Sequence, residues 1–498
     1  MREQLLLTLP LMLVALGGFA VLILARSPSW SLGRLQRLSM GILALAFLLE
    51  LPRFDSGLSR YLLADLFGHA FVIDDFAVLF DLMFLLGAFL TLMVNTDYLE
   101  KRRYYNGEFF ALFLFSIFGM MILAHSNDLV SAFVGLELAS LSIYALVGYH
   151  KNNRISSEAM LKYLVLGSAA GVFFLLGVAI VYGVAGTTIL PELAVFASAH
   201  GAEHAATLTV AGVLMLSTIL FKIGAVPFHS WVLDVYHGAP FPVTMYMASI
   251  FKIALFALGI RLFLFYFGGT QLHHLGLMGF LTAVTLIGGS WLALKQKLLK
   301  RMLAASSIVH GGYMMIALSS IGLGSDQAAP AIMFYLLSYF ISAVGAFGIL
   351  SYLAVDQGRQ LSYDDFKGFA HKRPYMAAMM AIFMLSLAGF PSTIGFLGKF
   401  YIFTSAIESK QFALAGLGIF IAFVSVYYYF KLIAKMYFYD CERDCWRRTF
   451  RFDWSTTPIV LMAVMAIWGG IGTGLIPFFP GADGLIGIAK TAVLAIGG

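Results

Sequence analysis

Charge is scarce in this chain: Asp, Glu, Lys and Arg make up 12% of 498 residues, while 60% are hydrophobic. Ordinary globular domains run near about 25% charged and about 45–50% apolar. So little charge excludes a soluble surface of normal polarity. One soluble core does not accommodate the surplus either, because single cores stop growing beyond roughly 250–300 residues. Cysteine is scarcer still: Cys441 and Cys445 are the only two, in a polar loop. Iron–sulfur and structural zinc sites usually take about four ligands, so reduced structural thiols are expected there. Gly-rich phosphate loops, dinucleotide fingerprints and nucleophile elbows are missing too. The chain has no evident redox site of its own.

What it has instead are long apolar runs from end to end. A bilayer crossing takes about 20 mostly apolar residues, which predicts about fourteen spans. They lie near 4–25, 35–52, 75–96, 108–125, 128–149, 159–184, 206–229, 242–267, 274–294, 302–322, 329–355, 374–405, 411–438 and 456–478. The first is long enough to span, lacks an A-x-A-like cleavage site, and reads as a retained helix. The tail 484–497 is short and Gly-rich, suited to the membrane interface. The expected fold is an all-α polytopic membrane protein.

Basic residues test the count, since they favour cytoplasmic loops. Arg26, Arg34 and Arg37 follow span 1; Lys101, Arg102 and Arg103 follow span 3; Lys151 and Arg154 follow span 5. Lys295, Lys297, Lys300 and Arg301 follow span 9, and Arg359, Lys367, Lys372 and Arg373 follow span 11. Arg443, Arg447, Arg448 and Arg451 follow span 13. The loops on the opposite side hold only Arg53, Arg60 and Lys410, with Arg2 at the N-terminus. The net charge of +6 is thus topological and does not call for nucleic acid. Both termini are expected outside, with the basic loops cytoplasmic.

Two spans are interrupted, at Gly224–Ala225–Val226–Pro227 in span 7 and Gly389–Phe390–Pro391 in span 12. Proline removes a backbone donor and clashes with the preceding turn, and in lipid the freed carbonyls need partners. Matched breaks point to an internal repeat with a pathway between its halves. Spans 4–8 and 9–13 are five each, so the second repeat is inverted. The expected units are 1–107 (spans 1–3), 108–267 (first repeat), 268–438 (second repeat) and 439–498 (loop, span 14 and tail).

Ionisable residues inside spans cost roughly 2.5–3.5 kcal/mol each even on the mild insertion scale. Glu137 is mid-span 5, Lys222 beside the first break, Lys252 well inside span 8, and Lys399 just after the second break. A structural Glu137–Lys222 ion pair would explain two of them, but not Lys252 and Lys399. Desolvation favours a neutral amine and a nearby carboxylate restores the charge, so lysines with movable neighbours suit proton transfer. His229 and His310 sit at or within spans and suit relays, with hydrogen-bonded packing as the competing reading. A haem would need paired axial histidines from facing helices, and nothing places these two opposite each other. Asp81 and Lys162 are weaker candidates. Lys431 and Lys435, one turn apart near the cytoplasmic end of span 13, are explained by snorkelling, and His237 by a wet loop.

At these residues the sequence resembles the antiporter-like (Mrp-type) membrane subunits of respiratory complex I, from about span 3 to span 13. The resemblance rests on Leu161–Lys162–Tyr163–Leu164–Val165–Leu166–Gly167–Ser168 and the run from Phe221 through Lys222 and Pro227 to Trp231. Further stretches are Asp234–Val235–Tyr236–His237–Gly238–Ala239–Pro240, Ser306–Ser307–Ile308–Val309–His310–Gly311–Gly312–Tyr313 and Gly395–Phe396–Leu397–Gly398–Lys399–Phe400. Lys399 favours the N branch over M, which looks to have glutamate there. The Asp234–Pro240 segment favours N over L and the cation/proton antiporters. The chain departs from the pattern at Phe251 (usually serine), Val232–Leu233 (usually Thr-Pro) and Gly311 (usually leucine).

The resemblance implies a half-channel role for Glu137 and Lys222, a linking role for Lys252 and an exit role for Lys399; His229 and His310 match family positions. It implies a bacterial inner-membrane hetero-oligomer with other membrane-arm subunits. FMN, iron–sulfur clusters and quinone would reside in partner subunits, and their quinone reduction would drive proton transfer here. Competing readings are an Mrp-type Na⁺/H⁺ antiporter component, the equivalent subunit of a membrane hydrogenase or related dehydrogenase, and a structural scaffold.

Overall fold

The computed structural model describes residues 7–54, 61–62, 69–102, 105–267, 273–357, 360–440, 453–471 and 481–497; Cys441 and Cys445 lie outside them. The described chain is almost wholly helical. The helices are α1 Leu9–Leu24, α2 Leu32–Glu50, α3 Asp75–Val94, α4 Glu108–His125, α5 Leu129–Val147 and α6 Arg154–Ala185. Next come α7 Leu190–His200, α8 Ala205–Ile223, α9 Val232–Gly238 and α10 Phe241–Phe267. The others of seven residues or more are α11 His273–Lys295, α12 Leu299–Gly322, α13 Ala328–Gln357, α14 Pro374–Ala388, α15 Ile394–Glu408, α16 Phe412–Phe438, α17 Thr457–Ile471 and α18 Ala482–Gly497. A short antiparallel pair joins β1 Tyr61–Leu62 to β2 Val72–Ile73.

Eleven of these helices are long and apolar enough to cross a membrane, and α1, α14 and α17 are shorter apolar helices. Local chemistry sets several of their starts. Asp74 accepts from the Ala77 amide at the head of α3, Asp128 from Val130 and Ser131 at the head of α5, and Asn153 from Ile155 at the head of α6. Each satisfies backbone donors that a helix start leaves open.

Burial sorts the helices into layers. Helices α10, α12 and α13 are enclosed almost completely, and α12 is buried along its entire apolar window. By contrast α6 and α16 turn Val165, Val172, Phe173, Phe420 and Phe423 outward, as expected for helices whose outer face meets lipid. The three enclosed helices are also those carrying Lys252, His310 and a set of buried tyrosines. A buried ion pair, in which Arg261 Nη2 donates to both carboxylate oxygens of Asp74 at 2.8 and 2.9 Å, fastens α10 to the head of α3.

The expectation of a seventh span over 206–229 needs adjustment: α8 stops at Ile223, and α9 occupies the connection to α10. Helix α7 went unforeseen because it is short, burying only Leu190, Leu193 and Ala197. The tail is a helix packed on α3 and α13 through Ala489, Ala492 and Ile496.

Candidate functional site

Both interruptions are built alike. At the end of α8, Gly224 (φ 79°) donates to Phe221 O at 3.0 Å and Ala225 to Leu220 O at 2.8 Å. At the end of α14, Gly389 (φ 83°) donates to Ser386 O at 3.0 Å and Phe390 to Leu385 O at 2.9 Å. These are matching Schellman caps, and glycine at each left-handed position avoids the steric penalty of a Cβ. Pro227 and Pro391 then prevent the helices from simply resuming.

Lys222 lies in the last turn of α8, fully buried. Its Nζ donates to Ser140 Oγ at 2.7 Å and Tyr144 Oη at 2.8 Å, and stands 3.7 Å from Glu137 Oε1. Glu137, Ser140 and Tyr144 fall at helical spacing on one face of α5, so a single helix face supplies every side-chain partner of this ammonium. Helix α6 covers that face, and two glycines let it approach. A Cβ at Gly171 would stand 2.6 Å from Glu137 Oε1, and one at Gly167 2.1 Å from Tyr144 Oη. Trp231 stacks on Tyr163 and donates to Phe221 O, anchoring the chain after the break.

Lys252 follows a π-helical segment, Met247–Phe251, a local widening common at functional sites. Its Nζ donates to Ser307 O at 2.5 Å, and Tyr236 and Tyr339 both reach the Ser307 side chain. One turn further along α12, His310 contacts Tyr335 Oη through Nδ1 at 2.6 Å and Tyr429 Oη through Nε2 at 3.0 Å. It lies within electrostatic reach of both Lys252 and Lys399. Lys399 reaches back across the second break. Its Nζ donates to Leu387 O at 3.0 Å and Ala388 O at 2.7 Å and lies 5.1 Å from the Tyr313 ring centre. Those carbonyls end a half-helix, where the dipole favours a cation. Lys222 is thus held beside a carboxylate, whereas Lys252 and Lys399 rest on backbone carbonyls.

The geometry therefore brings together Glu137 with Lys222, and Lys252 with His310 and Lys399. His229 stands apart in the connection after the first break, with a buried Nδ1 that lacks a hydrogen-bond partner among the described residues. The tyrosines were missed by sequence reasoning. Their signal was present: Tyr313 is three residues after His310, and Tyr335 and Tyr339 are one turn apart in a span. Hydroxyls both donate and accept, so the tyrosines can hydrogen-bond to either side, as Tyr335 and Tyr429 do with His310.

The weaker candidates separate in the same way. Asp81 is fully buried and bonded to His125 at 2.8 Å. Lys162 is surface-exposed and pairs with Glu158 and Asp234, both at 3.0 Å. Lys435 meets Asp364 at 3.1 Å and Lys431 packs over Tyr363. His237 is half-buried, not merely wet. It lines a cavity of about 220 Å³ with Arg102, His150, Lys300 and Gln360, and its imidazole is pushed down to about 4 by burial and by the nearby Lys300 and Arg301. Among the described residues, no three His, Cys, Asp or Glu side chains converge as metal ligands.

Comparison with known proteins accords with this construction. The model of the NADH:quinone oxidoreductase/Mrp antiporter transmembrane family matches residues 126–425. Subunit N of the NADH-quinone oxidoreductase of Trichlorobacter lovleyi is 38% identical over 413 residues, covering 82% of this chain and 83% of its own. A chain of Thermus thermophilus respiratory complex I matches with a TM-score of 0.76 at 29% identity, over 94% of this chain and 98% of that one. A chain of the Mrp complex from Dietzia sp. DQ12-45-1b matches with a TM-score of 0.80 at 20% identity, over 99% and 97%, which speaks to fold alone. The chain belongs to the NADH:quinone oxidoreductase/Mrp antiporter family of membrane subunits, alongside relatives that are subunit N of NADH-quinone oxidoreductases.

Proposed function

We propose that this chain is a proton-translocating membrane subunit of an NADH-quinone oxidoreductase. The observation that carries the reading is the buried line from Glu137 and Lys222 to Lys252, His310 and Lys399, set between two like-built helix breaks. In this reading Glu137 governs the charge on Lys222. At an effective dielectric near 20, doubling a separation of about 4 Å removes about 2 kcal/mol of attraction, a factor of about 30 in a proton equilibrium. A small shift of α5 against α8 is therefore enough to load or release Lys222. Lys252 receives the proton through the Ser307 and tyrosine hydroxyls, His310 relays it, and Lys399 discharges it. His229 serves as an accessory relay at the first break.

Matched caps at Gly224 and Gly389 support two inverted repeats over 108–267 and 268–438, flanked by 1–107 and 439–498. So does packing, since α4 with α5 and α11 with α12 are the two most extensively packed neighbouring pairs. In this reading about fourteen spans cross a bacterial inner membrane, with both termini outside. FMN, iron–sulfur clusters and the quinone site belong to partner subunits, which supply the driving redox step; the partners here are the other membrane-arm subunits, lipid and protons.

The test is proton translocation per electron pair by the assembled complex reconstituted in vesicles. Lys222→Ala and Glu137→Gln are expected to lower that ratio severely, while the complex still assembles. An unchanged ratio would leave the chain as a scaffold and defeat the reading. Co-purification with flavoprotein and iron–sulfur subunits separates it from an Mrp-type antiporter, which would be redox-silent.

A further inference from the structure

A second group of buried ionisable side chains lies apart from this line. Glu50 ends α2, Asp81 lies about 9 Å along α3 from its start, and His125 ends α4. All three are essentially inaccessible, with 0%, 0% and 1% exposure. They gather at the end of the bundle away from the basic loops. Three buried ionisable groups at one place are costly in a membrane protein and by default point to function.

The hydrogen bonds fix how many protons the group holds. His125 Nδ1 is 2.9 Å from Val72 O, and a carbonyl only accepts, so Nδ1 carries a hydrogen. His125 Nε2 is 2.8 Å from Asp81 Oδ2, a contact that requires one further proton, on the imidazole or on the carboxyl. Without it, two acceptors would face each other in a site with no water-like screening. Glu50 lies within electrostatic reach of both partners. Its Oε1 pairs with Arg53 at 3.3 Å, while Glu50 Oε2 and Asp81 Oδ1 are buried without a hydrogen-bond partner among the described residues. Asp81 Oδ1 is an open acceptor on the carboxyl that shares this proton, and Glu50 Oε2 is a second open acceptor within electrostatic reach of it, so both are places to which the proton can move.

We propose that Glu50, Asp81 and His125 form a second proton-binding site, which exchanges protons with the face of the membrane opposite the basic loops. In the exchange, the proton leaves the Asp81–His125 bond and binds Glu50 Oε2. Neutral imidazole and an Asp81 carboxylate remain behind. Glu50 then passes the proton to water beside Arg53, whose side chain reaches the surface (12% exposed). Because the deprotonated pair repels, release is tied to separation of α3 from α4. Helix α3 also touches the segment before Lys252: a Cβ at Gly87 would stand 2.7 Å from Ile250 Cγ1. Rearrangement around Lys252 therefore bears directly on the helix that carries Asp81.

This inference rests on the proton-translocating reading, and one experiment separates the two. The assembled complex in vesicles is measured for protons moved per electron pair, and by redox-induced infrared difference spectroscopy, for wild type, Glu50→Gln, Glu50→Asp, Asp81→Asn and Lys222→Ala. Glu50→Gln and Asp81→Asn are expected to lose pumping and a protonated-carboxyl band, and Glu50→Asp to regain both. Unchanged pumping in Glu50→Gln and Asp81→Asn with pumping lost in Lys222→Ala overturns the second site and leaves the main line standing. Unchanged pumping in all three overturns both. Pumping lost in Glu50→Gln and not regained in Glu50→Asp reduces the cluster to packing, and also overturns it.

Discussion

Glu137 touches Lys222 only because α6 presents hydrogen where other residues present a methyl group. Gly171→Ala therefore dissociates stability from function. Alanine is favoured over glycine in a helix by about 1 kcal/mol, and the atom it meets, Glu137 Oε1, is the mobile tip of a side chain. Thermal stability of the complex is expected to stay level or rise slightly, while protons moved per electron pair fall because the carboxylate is pushed off Lys222. Equal pumping in wild type and Gly171→Ala would show that the 3.7 Å approach is not needed. The four charged positions could be read from sequence, because an ionisable residue in an apolar run stands out against its cost. Their partners could not: Ser140 and Tyr144 are ordinary helix residues until α8 is laid against α5.

At the scale of elements, the two breaks differ in what closes them. Lys399, from α15, donates to the open carbonyls of α14, whereas Lys222 stands inside the helix that ends. Gly389→Ala puts a Cβ on a backbone with φ 83°, 2.9 Å from the Lys399 side chain. Such a substitution costs more than about 1 kcal/mol where φ is positive, and here it also displaces the cation that caps the half-helix. A lowered unfolding temperature together with lost pumping is the expected result, read by calorimetry and vesicle acidification. A change in stability alone would detach Lys399 from transport. Gly and Pro announced both breaks in the sequence. The π-helical segment before Lys252 had no such signal, since Met247–Phe251 reads as plain apolar helix and only its packing widens the turn.

Across the whole molecule, the basic end carries a polar cavity around His237 and the opposite end the Glu50–Asp81–His125 group. His237 has an ordinary pKa of about 6.5 and one of about 4 in the folded chain. Between those values the unfolded chain binds more protons, so folding stability is fully present above about pH 6.5 and declines as pH falls toward 4. Unfolding temperatures measured at neutral pH and near pH 5 are expected to differ less in His237→Gln than in wild type. An equal difference in both would place the acid sensitivity elsewhere.

The apolar runs, the alternation of basic loops and the Gly–Pro breaks specify a polytopic helical protein on their own. Each follows from a local cost: exposing backbone in lipid, moving lysine and arginine across a bilayer, or continuing a helix through proline. Which charges meet is a different kind of fact. Glu137 and Lys222 are far apart along the chain, and so are Lys252 and His310, or Glu50, Asp81 and His125. Their contacts depend on how closely particular helices approach, set by glycines at crossings and by the order in which α10, α12 and α13 fill the interior. Distance between helices has no local signature in sequence, so the buried set of lysines, His310 and tyrosines emerged only once the helices were packed.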